Sequence, residues 1–527
     1  MTEHYLDRLA RTINENWDQL ALTDFYLTED GSAQDTSRGN HYTYGEMYAE
    51  ILRFSEMFAA LGMQKGDHIA ICGANSAHWV IAYLAIAAYQ GVAVTILYSQ
   101  SPGDIARQIA FSDAKALFTD ADLWKTILPS LQGRVGERLS YVISLDNWQI
   151  LRGEKTITDN QKSLIVNREA CFDHGNPDEL AMICFTSGST GVSKGVMLPY
   201  RSISANVDAK YDDFVKSRGH IVLSVLPMGH VYGLMAEVIQ TLCLGIHVVV
   251  YRGLLSGDLY VKLIHASTPD IVMTIPVLLE TYVNKIKTVT NDLGIIRHQL
   301  LNLFGKKMDL IGIGGSLLSN EMESILYSPD VPLGMSYGMT ECGPRVALAL
   351  AHELRPHTVG KILPTLLARI APNGEILVKG ENVMLGYYKD PEATARKIDK
   401  DGWLHTGDKG HLDEDGYLYV EGRLEQDIIV LPNGENIHPE DIERKINALP
   451  EVSESIVLAR DGKLVAIVVP SKIENRESKI ESDALRRHVL RTVNPELPLY
   501  SQIYDVEITD TPLSKTEKQT IKRYLYK

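Results

Sequence analysis

The chain has 527 residues, 45% hydrophobic and 23% charged, too long for one ordinary core, so at least two folded units are expected. Its 52 basic and 67 acidic residues give a formal charge of −15. That acidic surface disfavours nucleic acid and anionic lipid as partners and leaves room only for a local basic pocket. Five cysteines, far apart and without a CxxC pair, argue against a zinc or disulfide framework and fit a reducing compartment.

The N-terminus, MTEHYLDRLARTINENWDQL, mixes charges throughout and lacks the apolar stretch of a secretory signal. TYGEMYAEILRFSEMFAALG (Thr43–Gly62) has helical periodicity, and DHIAICG after it reads as a strand. The run WVIAYLAIAAYQGVAVTIL (Trp79–Leu97) is nearly long enough to span a bilayer. Gln90-Gly91 divides it, which predicts a buried helix followed by a buried parallel strand. The chain is therefore expected to be cytoplasmic, without a transmembrane segment, with contact at a membrane surface left open. VAVTILY, KALFTD, HIVLSVLP and HVVVYRG are further strand candidates with helical stretches between them. Such alternation predicts an α/β fold of mostly parallel sheets covered by helices.

After Tyr387 the texture changes. DEDGYLYVEGR predicts a short alternating strand flanked by turns, HPEDIERKINAL a helix, SIVLAR and KLVAIVVP two strands, and DALRRHVLRTV another helix. These elements form a small α+β unit of their own. The expected domains are 1–422 and 423–527, a large domain followed by a smaller mobile one.

Within the large domain, FTSGSTGVSKGVM (Phe185–Met197) follows an apolar strand-like run. Its glycines let backbone N–H groups approach an anion, its hydroxyls add donors and Lys194 supplies a point charge, which together fit a polyphosphate. Ser193, where the Walker loop has glycine, sets it apart from that motif.

This loop resembles the signature of the adenylate-forming superfamily, which includes acyl-CoA synthetases, luciferase-like enzymes and nonribosomal adenylation domains. Further segments resemble that family's motifs in the family's order: LPMGHVYGL, GIGGS, SYGMTE, GEILVKGENVMLGYYKDPEAT, GWLHTGD and GRLEQDIIVLPNGENIHPEDIE. The resemblance implies a large α/β domain with an added β-structure and a small α+β lid. It also implies an enzyme that forms acyl-AMP from a carboxylic acid and ATP and then passes the acyl group to a thiol.

By the same resemblance, Thr186, Ser187, Gly188, Ser189, Thr190, Gly191 and Lys194 cradle the β and γ phosphates. Glu341, with Thr186, holds Mg²⁺, and a lone carboxylate beside phosphate oxygens suits that hard dication. Thr340 meets the α-phosphate. Gly314, Gly315 and Ser316 form the adenine slot with Tyr337 and Gly338, the tyrosine stacking on the base opposite the glycines. Asp408 accepts hydrogen bonds from the ribose hydroxyls, and Arg423 meets ribose or phosphate. His230 orients the incoming carboxylate. Glu425, two residues after that arginine, is the hinge, and the loop around Gly434 lines a thiol channel. In TPLSKTEKQTIKRYLY, counting from Pro512 makes Lys518 the adenylation lysine, whereas counting back from IKRYLY reaches Thr520. Lys518 is favoured because threonine cannot supply a cation.

The chain ends at Lys527 without a carrier domain, so free coenzyme A is the expected thiol, with a carrier protein in trans as the alternative. LPMGHVYGLMAE and VLPNGENIHPEDIE are most similar to segments of bacterial long-chain acyl-CoA synthetases. Val231, Leu234 and Met235 are expected to line an alkyl pocket for a medium- or long-chain fatty acid, with aryl and branched acids as alternatives. A nucleotide-binding protein that has lost the chemistry is the non-enzymatic alternative.

Overall fold

The apolar run that could have crossed a membrane divides at Gln90-Gly91. Ala77–Ala88 is a helix, buried from Ala77 through Ala87, and Val92–Thr95 is a fully buried strand. Gln90 takes a positive φ of 62°, which ends the helix and turns the chain. A helix apolar on every side must be covered on every side, and this one sits in a core built from residues of two sheets. Among the described residues, no helix is long and apolar enough to cross a membrane.

The structure is a computed structural model that describes residues 2–28, 39–131, 138–153, 168–186, 194–208, 220–253, 257–305, 308–315, 318, 320–328, 330–350, 353–424, 429–431, 435–437, 439–471, 479–514 and 525–526. Contacts divide the chain into a larger unit, holding most residues up to Leu424, and a smaller one built on the residues from 425 onward together with Ser99–Ile105 and Thr186–Lys194.

The larger unit contains two sheets with parallel centres. In the first, Leu180–Thr186, Val92–Thr95, His68–Cys72, Ala116–Thr119 and Tyr141–Ser144 lie side by side and parallel. In the second, Leu333–Gly338, Leu310–Ile313, Ile271–Thr274, Ile221–Ser224, His247–Tyr251 and Leu20–Phe25 do the same. These central strands are buried almost throughout, as parallel strands covered on both faces must be. Antiparallel strands close the edges, among them Gly386–Tyr387 against Lys194–Pro199 and Arg345–Ala349 against Leu333–Gly338. A separate four-stranded antiparallel sheet runs Leu366–Ile370, Glu375–Gly380, Leu404–Leu412, Leu418–Arg423. It is the β-structure expected beside the α/β layers.

In the smaller unit, Val452–Arg460 and Lys463–Pro470 form a hairpin. Its two-residue turn is Asp461-Gly462, with φ of 51° and 72°, and two positive angles match the right-handed twist of the strands. Ile503–Ile508 adds in parallel. The helices Pro439–Asn447 and Lys479–Val493 contribute to the unit's own core, which includes Ile442, Ile446, Val457, Val468 and Val489.

Candidate active site

The anion-loop sequence spans the gap between two strands. Thr186 ends Leu180–Thr186, and Lys194 begins Lys194–Pro199. Ser187, Gly188, Ser189, Thr190 and Gly191 lie outside the described residues. Ser316, Glu425, Gly434 and Lys518 also lie outside them.

The glycines of GIGGS allow close packing. A Cβ on Gly312 would come within 2.4 Å of the Met273 sulfur, and one on Gly314 within 2.8 Å of the Ser336 hydroxyl and the Tyr232 ring. Gly315 has a positive φ of 86°, which glycine adopts at least cost. The atoms nearest to the position of a Gly314 side chain thus belong to Tyr232 and Ser336.

Tyr337 and Gly338 end the strand Leu333–Gly338, which pairs with Arg345–Ala349 and returns through the turn Thr340–Cys342. The turn carries Glu341. The residue is 8% exposed, and its Oε1 accepts a hydrogen bond from the Tyr387 hydroxyl at 2.7 Å. Its backbone carbonyl accepts one from Met384 N at 2.9 Å. Burial, and then the negative Glu341, push the Tyr387 phenol far above its ordinary pKa, so it stays protonated as a donor.

Asp408 is held in the same manner. It is 6% exposed, and Oδ2 accepts from the Tyr337 hydroxyl at 2.5 Å. Burial first and Asp408 second raise the Tyr337 pKa as well. Arg423 lies directly opposite Asp408 in the antiparallel pair Leu404–Leu412 and Leu418–Arg423, and Leu424 N bonds to Gly407 O at 2.9 Å. The structure therefore brings Tyr337, Asp408 and the Arg423 backbone together. Glu341, four residues beyond that tyrosine, is tied to Tyr387.

His230 follows the strand Ile221–Ser224 and begins the next helical turn, its Nδ1 accepting from Tyr232 N at 3.2 Å. That bond places the ring proton of the neutral form on Nε2. Water reaches the ring, yet protein surrounds it closely enough that burial lowers its pKa below 6.5.

Val231, Leu234 and Met235 are buried. Each is at most 1% exposed and packs in the main core with Met228 and Val238. Leu234–Ile239 is wound as a wide, five-residue turn, which alters the faces that ordinary helical spacing assigns. Tyr387 and Tyr232 contact candidate site residues, which sequence reasoning did not anticipate. Both stood inside quoted motifs, but nothing local to them reveals a partner 46 residues away or a ring packed on Gly314.

The donor set fits a nucleotide with a divalent cation. The phenol on Glu341 Oε1 leaves Oε2 for a metal, and Asp408 is a buried acceptor. A model of AMP-binding enzymes matches residues 9–388. The chain belongs to the AMP-binding enzymes. A model of the AMP-binding enzyme C-terminal domain matches residues 426–526. AMP-binding enzymes that ligate an acid to coenzyme A require ATP, Mg²⁺ and the coenzyme.

Among curated relatives, 4-coumarate–CoA ligase 3 of Oryza sativa subsp. japonica is 26% identical over 90% of this chain and 85% of its own. 4-Coumarate–CoA ligase 1 of Arabidopsis thaliana has the same values. The likeness to these plant enzymes shows the family and does not establish the narrower resemblance to bacterial long-chain fatty-acid ligases. Among solved structures, o-succinylbenzoate CoA synthetase from Bacillus subtilis superposes with a TM-score of 0.75 at 23% identity, covering 98% of this chain and 97% of that one. Amide bond synthetase McbA from Marinactinospora thermotolerans gives 0.74 at 22% identity, covering 100% and 99%. Both share the fold of this AMP-binding enzyme.

Proposed function

We propose that the protein is an acid–CoA ligase that forms acyl-AMP from a carboxylic acid and ATP and then makes the thioester. The observation that carries this reading is the short segment Tyr337–Glu341, whose two ends are joined by hydroxyl–carboxylate bonds to Asp408 and Tyr387. One segment thus holds a buried acceptor for ribose hydroxyls and a carboxylate for Mg²⁺. When bound, Mg²⁺ would neutralise phosphate charge as the α-phosphorus is attacked. Glu341 and Thr186 would hold it, and Lys194 would hold the outer phosphates. Asp408 and Tyr337 would fix the nucleoside, and Thr340 would meet the α-phosphate. Lys518, Glu425 and Gly434 keep the roles of adenylation lysine, hinge and thiol channel.

For the acid, we favour a compact aryl-bearing carboxylate over a long alkyl chain. The Tyr232 ring fills the space over Gly314, the apolar residues after His230 are used in the core, and the plant relatives are named for 4-coumarate. A panel of aryl, branched, medium-chain and long-chain acids, each supplied with ATP, Mg²⁺ and coenzyme A, tests this through acid-dependent AMP release. Aryl acids should give the highest kcat/KM. A preference for long-chain acids would return the substrate to the fatty-acid class.

In this reading His230 acts as a neutral donor through Nε2–H. Because burial lowers its pKa below 6.5, protonation begins at a lower pH than for a free imidazole. The kcat/KM for the acid should therefore stay level as pH falls through 6.5, and His230→Ala should lower it about tenfold at every pH in that range. An inflection at or above 6.5 that disappears in His230→Ala would contradict this role.

A further inference from the structure

We infer that Glu375 is a positioning residue that sets the aim of Asp408; the inference rests on the proposed ribose role of that aspartate. The strands Glu375–Gly380 and Leu404–Leu412 pair in register at Leu377 opposite His405 and again at Glu375 opposite Lys409. Two steps along one strand thus face four along the other, so the segment Thr406–Gly407–Asp408 bulges out of the ladder. Gly407 has a φ of 80°, which glycine tolerates best. A bulge re-aims a side chain but leaves backbone groups without ladder partners, and these must be satisfied in another way.

Two side chains meet that need. Glu375, 8% exposed as a residue, accepts the Gly407 N–H on Oε1 at 3.0 Å and faces His405 Nδ1 from Oε2 at 2.9 Å. The Thr406 hydroxyl, fully buried, donates to Ile376 O at 2.7 Å and accepts from Asp408 N at 3.0 Å. His405 is flanked on its other nitrogen by Asp399 Oδ2 at 3.9 Å, and Asp399 itself accepts from Trp403 N at 2.9 Å. Glu375 therefore bonds to residues on both sides of Thr406, and the bulge presents Asp408 to the Tyr337 hydroxyl. Glutamine has the same length but one carbonyl oxygen, so either the Gly407 N–H or His405 loses its acceptor.

The test measures calorimetric affinity for Mg·ATP and for Mg·2′,3′-dideoxy-ATP in wild type, Asp408→Ala and Glu375→Gln. Wild type should prefer ATP, Asp408→Ala should abolish the preference, and Glu375→Gln should reduce it about fivefold. If Glu375→Gln does not fold, Glu375→Asp, which keeps the charge but shortens the reach to the Gly407 N–H and His405, takes its place in the comparison. A wild type without preference would overturn the ribose role and this inference together. If wild type prefers ATP and Asp408→Ala does not, while Glu375→Gln keeps the full preference or weakens both nucleotides equally, the inference alone is overturned.

Discussion

Glu341→Gln is expected to reduce acid-dependent pyrophosphate release about a hundredfold at a fixed Mg²⁺ concentration, with partial recovery as Mg²⁺ is raised. The magnitude is that of removing one preorganised electrostatic group from a water-poor site. Glutamine keeps an oxygen where the Tyr387 hydroxyl donates at 2.7 Å, so the turn Thr340–Cys342 should survive. What disappears is the negative charge, the property a hard dication selects. Tyr387→Phe should shift the Mg²⁺ titration in the same direction by a smaller factor, because it frees Oε1 without neutralising the carboxylate. The checks are Mg²⁺ titrations of pyrophosphate release and thermal melting of all three proteins. Unchanged titration in Glu341→Gln would remove this residue from the metal site.

The second large effect concerns folding. Gly338→Ala would place a Cβ 2.0 Å from Pro344 O, 2.8 Å from its carbonyl carbon and 3.0 Å from the Arg345 Cα. All three are backbone atoms, so no rotamer change can relieve the overlap. The Pro344 carbonyl also accepts from Met339 N at 2.8 Å, a bond that closes the turn carrying Glu341. Forcing the strands apart would disturb the pairing of Tyr337 with Ala347 and the hydroxyl contact to Asp408. A loss of about 3 kcal/mol is expected, at the upper end for overpacked sites. It is measured by urea unfolding of each protein, with the slope against denaturant compared to detect a changed transition. A loss under about 1 kcal/mol would show that the hairpin yields more readily than this geometry allows.

Local chemistry was the legible part of the sequence. Gln90-Gly91 marked the boundary inside an apolar run, and Asp461-Gly462 joins two segments that alternation identified as strands. Of the ordered motifs, two are joined by the contact between Tyr337 and Asp408. Contacts distant along the chain were not legible. Tyr387 lies 46 residues from Glu341 and Glu375 lies 32 from Gly407, and spacing carries no record of either bond. The bulge at Thr406–Asp408 depends on the register between two strands, which the alternation within one strand cannot reveal. The burial of Val231, Leu234 and Met235 in the core was not legible either, because apolar neighbours of a histidine suit a pocket and a core equally well. The two uses differ only in what packs against the helix. Tyr232 was passed over for the converse reason, since its packing depends on Gly314, whose missing side chain makes room for the ring.

Isotope transfer tests the central claim most directly. The acid is labelled with oxygen-18 in its carboxylate and incubated with ATP, Mg²⁺ and coenzyme A, and the AMP released is weighed by mass spectrometry. Attack of the carboxylate on the α-phosphorus, followed by thiolysis, must leave one labelled oxygen in AMP. Unlabelled AMP, or orthophosphate released without any need for an acid, would contradict the account.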